Sequence, residues 1–154
     1  MTQTLTLRFL FTVTLTLILT IIPLPEAIRV FRPSWVLLFV LYIQFFMPNY
    51  FRITWVFLIG LSLDVLLSSV IGEHGFALLL TSWLAASKMR RFHFFSIAQQ
   101  MALIAFFSLI YQFVIVLIDS SLGFSASFLY ASIGSIITMM FWPWLKLLAC
   151  NFLI

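Results

Sequence analysis

Charged residues and prolines are so sparse in this chain that they alone divide it into apolar runs. The runs are 9–24, closed by Pro23 and Pro25; 33–47, stopped by Pro48-Asn49; 53–71; 75–87; 97–118; and 124–145, with Trp142-Pro143-Trp144 near its end. A helix that crosses a bilayer takes ~20 residues, so each run predicts one crossing. Run 75–87 makes only about 20 Å of helix against a hydrocarbon core of ~30 Å. Continuing that helix into Lys88, Arg90 and Arg91, with their charged heads reaching the interface, is simpler than a re-entrant loop. Run 33–47 is short in the same way, so six spans are expected and five are the alternative. Threonines at 4, 6, 12, 14, 16 and 20 mimic strand alternation. A lone strand in lipid leaves its edges unpaired, so the expectation is helix, with each hydroxyl bonded to a carbonyl one turn back.

Composition confirms the solvent. The chain of 154 residues is 64% hydrophobic, 18% aromatic and only 8% charged, with a mean hydropathy of +1.22. Eight basic and four acidic residues cannot clothe a water-soluble globule, and a disordered chain would be polar and poor in aromatics. The expected class is an all-α integral membrane protein forming a single transmembrane domain over 1–154, with short loops. Arg8 before the first run imitates a secretory signal, but no A-x-A-like cleavage site follows, so the run is expected to be retained. Cys150 is the single cysteine, and no Cys/His cluster has zinc-ligand spacing. No metal and no cofactor are expected. The net charge of +4 is not a nucleic-acid footprint, because no basic face lies on a soluble element.

The charges instead report topology. With an inside N-terminus and six spans, Arg8, Arg52, Lys88, Arg90, Arg91 and Lys146 fall on the cytoplasmic side, and Arg29 and Arg32 fall outside. That distribution obeys the positive-inside rule and places both termini in the cytoplasm. Glu26, Glu73 and Asp119 fall outside as well. The five tryptophans, at 35, 55, 83, 142 and 144, lie close to basic residues, where an aromatic belt is expected. Lys88, Arg90 and Arg91 form a cytoplasmic basic patch facing anionic lipid, at ~1 kcal/mol per basic residue.

Asp64 is the one acid inside a run. A central Asp opposes insertion by roughly 2.5–3.5 kcal/mol, which the surrounding aliphatic residues outweigh, so Asp64 must face protein or water. Either it serves a partner, a proton or a ligand, or it is a hydrogen-bonded acid that fixes helix packing. Gly60, Asp64, Ser68 and Gly72 recur every four residues, one side of a helix, where small residues admit a close neighbour. Counting from the ends of the runs puts Asp64 and Gln112 at a common depth of about 10 Å, so Gln112 or Tyr111 is the expected hydrogen-bond partner of Asp64. His74 and His93 have no ligand partner at helical spacing, and no Ser/His/Asp set, phosphate loop or H-E-x-x-H is present. Catalysis would rest on Asp64 alone, and no enzyme is expected.

The stretch Ile28-Arg29-Val30-Phe31-Arg32-Pro33-Ser34-Trp35-Val36-Leu37-Leu38 adds a more specific signal. It follows Pro23-Leu24-Pro25 and precedes Tyr42 and Met47-Pro48-Asn49. With Gly60-Leu61-Ser62-Leu63-Asp64, Ile71-Gly72, Gln99-Gln100 and Trp142-Pro143-Trp144 in the same order, the chain resembles the MreD family of Gram-negative bacteria from about residue 20 to 146. Ser68 stands where the family often has Gly, and Ala98 replaces an aromatic. The resemblance implies a non-enzymatic scaffold or regulatory subunit of the inner-membrane cell-elongation complex, which supports peptidoglycan synthesis and cell shape. It implies MreC as partner, with RodA, a class B penicillin-binding transpeptidase and MreB in the same complex. It also implies a fold like the substrate-binding subunit of energy-coupling-factor transporters.

Under that reading Arg32, Pro33, Trp35, Gly60, Asp64, Ser68, Gly72, Gln112 and Gly134 are the candidate interaction and packing residues. The alternative is the substrate-binding membrane subunit of a small-molecule transporter, which needs several convergent polar groups; Tyr42, Gln44, Asp64 and Gln112 are the polar residues the runs offer. An intramembrane enzyme is a third reading, resting on Asp64.

Overall fold

The computed structural model describes residues 2–22, 33–49, 51–123 and 128–153. Among them are seven helices and no strand: α1 (Thr2–Ile21), α2 (Trp35–Phe46), α3 (Ile53–Leu67), α4 (Glu73–Ala86), α5 (Met89–Phe92), α6 (Ile97–Ser121) and α7 (Phe128–Leu153). In α1 the threonine hydroxyls do bond backward: Thr16 to the carbonyls of Thr12 and Val13, and Thr20 to that of Thr16.

Helix α2 is the centre. Residues 36–45 are all buried, as expected of a helix that is apolar on every side. It packs against α1, α4, α5, α6 and α7. Its 12 residues rise only ~18 Å, and its neighbours, not its own length, supply its surroundings. The one buried amide on it, Gln44, donates from Nε2 to the Ser82 carbonyl of α4 at 2.7 Å.

Around α2 the chain folds as hairpins, with α3 against α4 and α6 against α7 as the most extensive pairs. Helices α3 and α4 cross at glycine. A Cβ on Gly60 would collide with the Cα of Gly75 and lie 2.8 Å from its nitrogen. The backbones are in contact, the arrangement that small residues permit in lipid. The α6 start is closed by a capping box: Ser96 Oγ accepts from Gln99 N, and the Gln99 side chain accepts from Ser96 N at 3.1 Å, satisfying two otherwise orphaned donors.

Several predicted boundaries move. The third helix ends at Leu67, not 71, because Ser68 turns into the left-handed region at φ 53°. The four-residue period of Gly60, Asp64, Ser68 and Gly72 therefore does not stay on one helix face. The fourth does not continue through Lys88, Arg90 and Arg91; it stops at Ala86 and restarts as the one-turn helix α5. The sixth runs through Pro143 to Leu153, although proline removes one ladder donor. Trp142 is fully buried, so it belongs to the core and not to an interfacial belt; its ring lies 5.8 Å from Phe92 and 6.3 Å from Phe46. Trp55, Trp83 and Trp144 are exposed.

Much of the described surface is apolar. Val65, Ile71, Phe76, Leu129, Ile136 and Met140 are all more than half exposed. Water does not tolerate apolar area of that extent around a whole bundle. Helix α6 is by itself long and apolar enough to cross a membrane.

Two substitutions test this geometry in the purified protein by thermal unfolding in detergent. Ser68→Gly relieves a left-handed non-glycine residue and raises stability by about 0.5–1 kcal/mol. Gly60→Ala drives a methyl into the Gly75 backbone and lowers the midpoint.

Candidate functional site

The described acidic residues, Asp64, Glu73 and Asp119, collect at one end of the bundle, where the chain turns from α3 into α4. Helix α4 begins at Glu73 with Gly72 before it at φ 96°, a conformation that glycine adopts without penalty. The first N–H groups of a helix lack internal partners, and in an apolar setting no water replaces them. Asp64 supplies the acceptor. Its Oδ2 accepts from Gly72 N at 2.7 Å and its Oδ1 from His74 N at 2.9 Å. His74 Nδ1 lies 3.0 Å from the same Oδ1, and Ser69 Oγ donates to it at 3.3 Å. A negative group at a helix N-terminus also meets the positive end of the helix dipole. Asp64 is therefore a cap in space, one helix closing the start of the next, and both of its oxygens are occupied.

That arrangement corrects the expected pairing of Asp64 with Gln112 or Tyr111. Because α3 ends early, Asp64 lies within one turn of its helix end, ~5 Å along the axis, whereas Gln112 lies ~14 Å before the end of α6. Tyr111 reaches the cluster through His74, ring to ring at 6.2 Å in a T-shaped contact. Gln112 turns the other way. Its Nε2 lies 3.4 Å from Ser34 Oγ, and it fills the space over Gly134, where a Cβ would sit 2.8 Å from that nitrogen.

A second polar node results, tying the start of α2 to α6 and α7. Ser34 N donates to Thr138 Oγ1 at 3.1 Å, and Thr138 Oγ1 donates to the Gly134 carbonyl at 2.7 Å. Pro33 beside it is buried, and the Trp35 ring packs edge-on to Phe141 at 4.9 Å. Arg32 lies outside the described residues.

Of the expected site residues, Asp64 and Gly72 come together in the clasp. Pro33, Trp35, Gln112 and Gly134 come together at the node. Gly60 serves the α3–α4 crossing, and Ser68 is exposed at the end of α3. Lys88, Arg90 and Arg91 are exposed at the opposite end. His74, Ser69, Gly75 and Thr138 were not anticipated. They join through a bent loop and between helices, which helical spacing does not reveal.

Glu73 and His74 precede the fourth apolar run and carry the electrostatics of this end. Burial, then the Asp119 and Asp64 carboxylates, push the Glu73 carboxyl up to about 7. Burial pulls His74 down, against the raising effect of Asp64, so the imidazole serves as a neutral hydrogen-bonding group. No group of three or more His, Cys, Asp or Glu among the described residues is arranged to hold a metal.

Comparison with known proteins gives two findings. The model of the family described as rod shape-determining protein MreD matches residues 1–152. The rod shape-determining protein MreD of Haemophilus influenzae is 30% identical over 131 residues, which cover 85% of this chain and 81% of that protein. No solved structure matches.

Replacing Asp64 tests the clasp. Asp64→Leu orphans the Gly72 and His74 donors and lowers stability by about 2–4 kcal/mol; Asp64→Asn retains one acceptor and loses less. Glu73 gives a pH signature with a definite sign. Its folded pKa lies above its unfolded value of 4.5, so the native state holds more protons, and stability falls as pH rises from about 4.5 to about 7. Glu73→Gln flattens that fall, and the variant exceeds the parent at pH 8 in thermal unfolding.

Proposed function

Since the chain belongs to the MreD family of rod shape-determining proteins, we propose that it is a non-enzymatic membrane scaffold of the cell-elongation machinery. In this reading it crosses the inner membrane six times with both termini in the cytoplasm. It binds MreC through the periplasmic end and works beside RodA, a class B penicillin-binding transpeptidase and MreB in supporting peptidoglycan synthesis. The H. influenzae relative, named a rod shape-determining protein, supports the role in cell shape.

The observation that carries the scaffold reading is the state of Asp64. The one acid within the apolar runs accepts from Gly72, His74 and Ser69 with its side chain wholly buried, so it holds a loop in place and presents no exposed oxygen to a substrate. A general acid or base must reach a reacting group at hydrogen-bond distance. The clasp does the opposite: it makes the α3–α4 turn rigid. Rigid turns, braced by the Ser34–Thr138–Gln112 node beside Pro33, present a preformed surface at one end of the bundle, which lowers the ordering entropy of association.

In the transporter alternative, convergent polar groups line a cavity. The groove between α6 and α7, about 280 Å³, is lined by Phe106, Leu109, Ile110, Phe113, Phe128, Ala131 and Ser132, an apolar wall with a single hydroxyl.

The test is complementation of a strain that lacks its own member of the family, with pull-down of MreC by the tagged chain. The expected result is rod shape and MreC recovery with the parent chain, reduced recovery with Arg32→Glu, and rounded cells with Asp64→Leu. Asp64→Asn keeping shape supports a hydrogen-bonding role for that residue. Full function with both Asp64→Leu and Arg32→Glu, or recovery of no MreC with the parent chain, removes this reading.

A further inference from the structure

The basic end of the molecule carries a second feature that the scaffold reading leaves unused. No acid occurs anywhere in residues 75–118, and the segment between α4 and α6 carries Lys88, Arg90 and Arg91. All three are exposed. The His74–Asp64 contact at the far end is the only contact of a basic side chain with a carboxylate among the described residues, so none of these cations is paired with a described acid. Lys146 differs from them: its ammonium is engaged by Gln100 Oε1 at 3.3 Å and lies 5.6 Å over the Phe46 ring.

The segment that holds the three cations is fixed to the bundle, not slack. Phe92, with no exposed surface, stacks on Phe45 at 3.8 Å with the rings 2° from parallel, and meets Trp142 edge-on. Gln100 Nε2 lies 3.4 Å from the Phe92 carbonyl and 3.0 Å from the Phe95 carbonyl. Local backbone bonds from Phe92 N to Lys88 O and from Phe94 N to Arg91 O complete the turn. One aromatic is thus driven into the core and the next, Phe94, is turned out to 89% exposure, the highest of the large apolar side chains described. Trp83, Ile97 and Trp144, all more than half exposed, belong to the same end of the bundle.

We infer that residues 88–94 form a preorganised binding platform for anionic phospholipid, with Lys88, Arg90 and Arg91 on the headgroup phosphate and Phe94 inserted at the acyl boundary. Three unpaired cations demand an anionic ligand. A fully projecting phenyl ring beside them demands an apolar one, and a phospholipid joins both in one molecule. Aromatic rings at the level of the headgroups with basic residues around them are how amphipathic segments grip a membrane surface. The exposed cations of Lys88, Arg90 and Arg91 and the exposed Phe94 ring lie on one short segment around the α5 turn. The inference rests on the reading of this end as the cytoplasmic interface. Reporter fusions that test that reading are independent of lipid selectivity, so the two fail separately.

The experiment uses the full chain in dodecyl maltoside, delipidated, with thermal unfolding followed as dioctanoylphosphatidylglycerol is added. A ligand that binds the folded state raises the midpoint in a concentration-dependent way. The expected result is a saturable rise with phosphatidylglycerol, a smaller one with dioctanoylphosphatidylcholine, and none with inorganic phosphate at equal concentration. At about 1 kcal/mol per basic residue, each cation replaced weakens the apparent affinity about five-fold. Lys88→Gln with Arg90→Gln and Arg91→Gln together weaken it about a hundred-fold. Their exposure leaves the lipid-free midpoint unchanged, and Arg52→Gln, on the other loop at this end, serves as the control that keeps the full shift. Phe94→Ser reduces the shift while preserving the preference for phosphatidylglycerol. Equal shifts with both lipids, an equal shift with phosphate alone, or an undiminished shift in the triple variant overturns the proposal. Absence of lipid selectivity combined with loss of rod shape in the triple variant overturns it in favour of an acidic protein surface as the occupant.

Discussion

A carboxylate from one helix closing the N-terminus of the next is the contact on which the α3–α4 half of the bundle turns. Helix starts expose donors that water ordinarily satisfies, and a chain this apolar has little water to call on. Asp64 accepts from Gly72 and His74 at 2.7 and 2.9 Å, which fixes both the turn and the angle at which α4 returns along α3. The Gly60–Gly75 backbone contact follows from that angle: two helices so close cannot tolerate a side chain between them. The loss in removing Asp64 is therefore not one hydrogen bond but the geometry of a hairpin.

The same device recurs at two further places among the described residues. At the basic end the Gln100 amide lies against the carbonyls of Phe92 and Phe95, and at the start of α2 the Thr138 hydroxyl accepts from Ser34 N. Each is a polar side chain on a long helix reaching to the backbone of a loop. Polar residues are too few here to be spread over a surface, and they are spent on the backbone groups for which lipid offers nothing. Among the described residues, Asp64 and Glu73 lie at the α3–α4 turn near Asp119, and the exposed Lys88, Arg90 and Arg91 lie at the other end of α4.

Helical class was legible in the sequence because the apolar runs are long and the breaks between them are charged or prolyl; the resemblance in Phe31-Arg32-Pro33-Ser34-Trp35 and Trp142-Pro143-Trp144 led to the family that the comparisons show. Ends of helices were less legible. Ser68 looks like one more small residue on a four-residue stripe, yet its left-handed conformation ends the helix and sends Gly72 into the loop, where its own N–H meets Asp64. Counting depth from the end of an apolar run misplaced Asp64 against Gln112 for the same reason. Trp142 read as an interfacial residue from its nearness to Lys146, and only packing shows it buried among Tyr42, Phe46 and Phe92. Contacts such as Gly60 with Gly75, or His74 with Asp64, join positions separated by a bend, and no helical period connects them.

The allocation of polar groups bears on what kind of work such a molecule performs. A transporter subunit must hold polar side chains in reserve, converging on a cavity and unsatisfied until a ligand arrives. Here Asp64 is buried and hydrogen-bonded by its own loop and Gln112 is wedged between Ser34 and Gly134; neither is available without dismantling the packing that positions it. Side chains used in this way confer shape on loops and leave recognition to what the loops display. For a scaffold embedded in lipid, where no hydrophobic drive brings helices together, rigid displayed loops are the economical means of specificity. In the proposed scaffold role a partner meets a surface already ordered, and substitutions inside the bundle act on that partner through geometry at a distance.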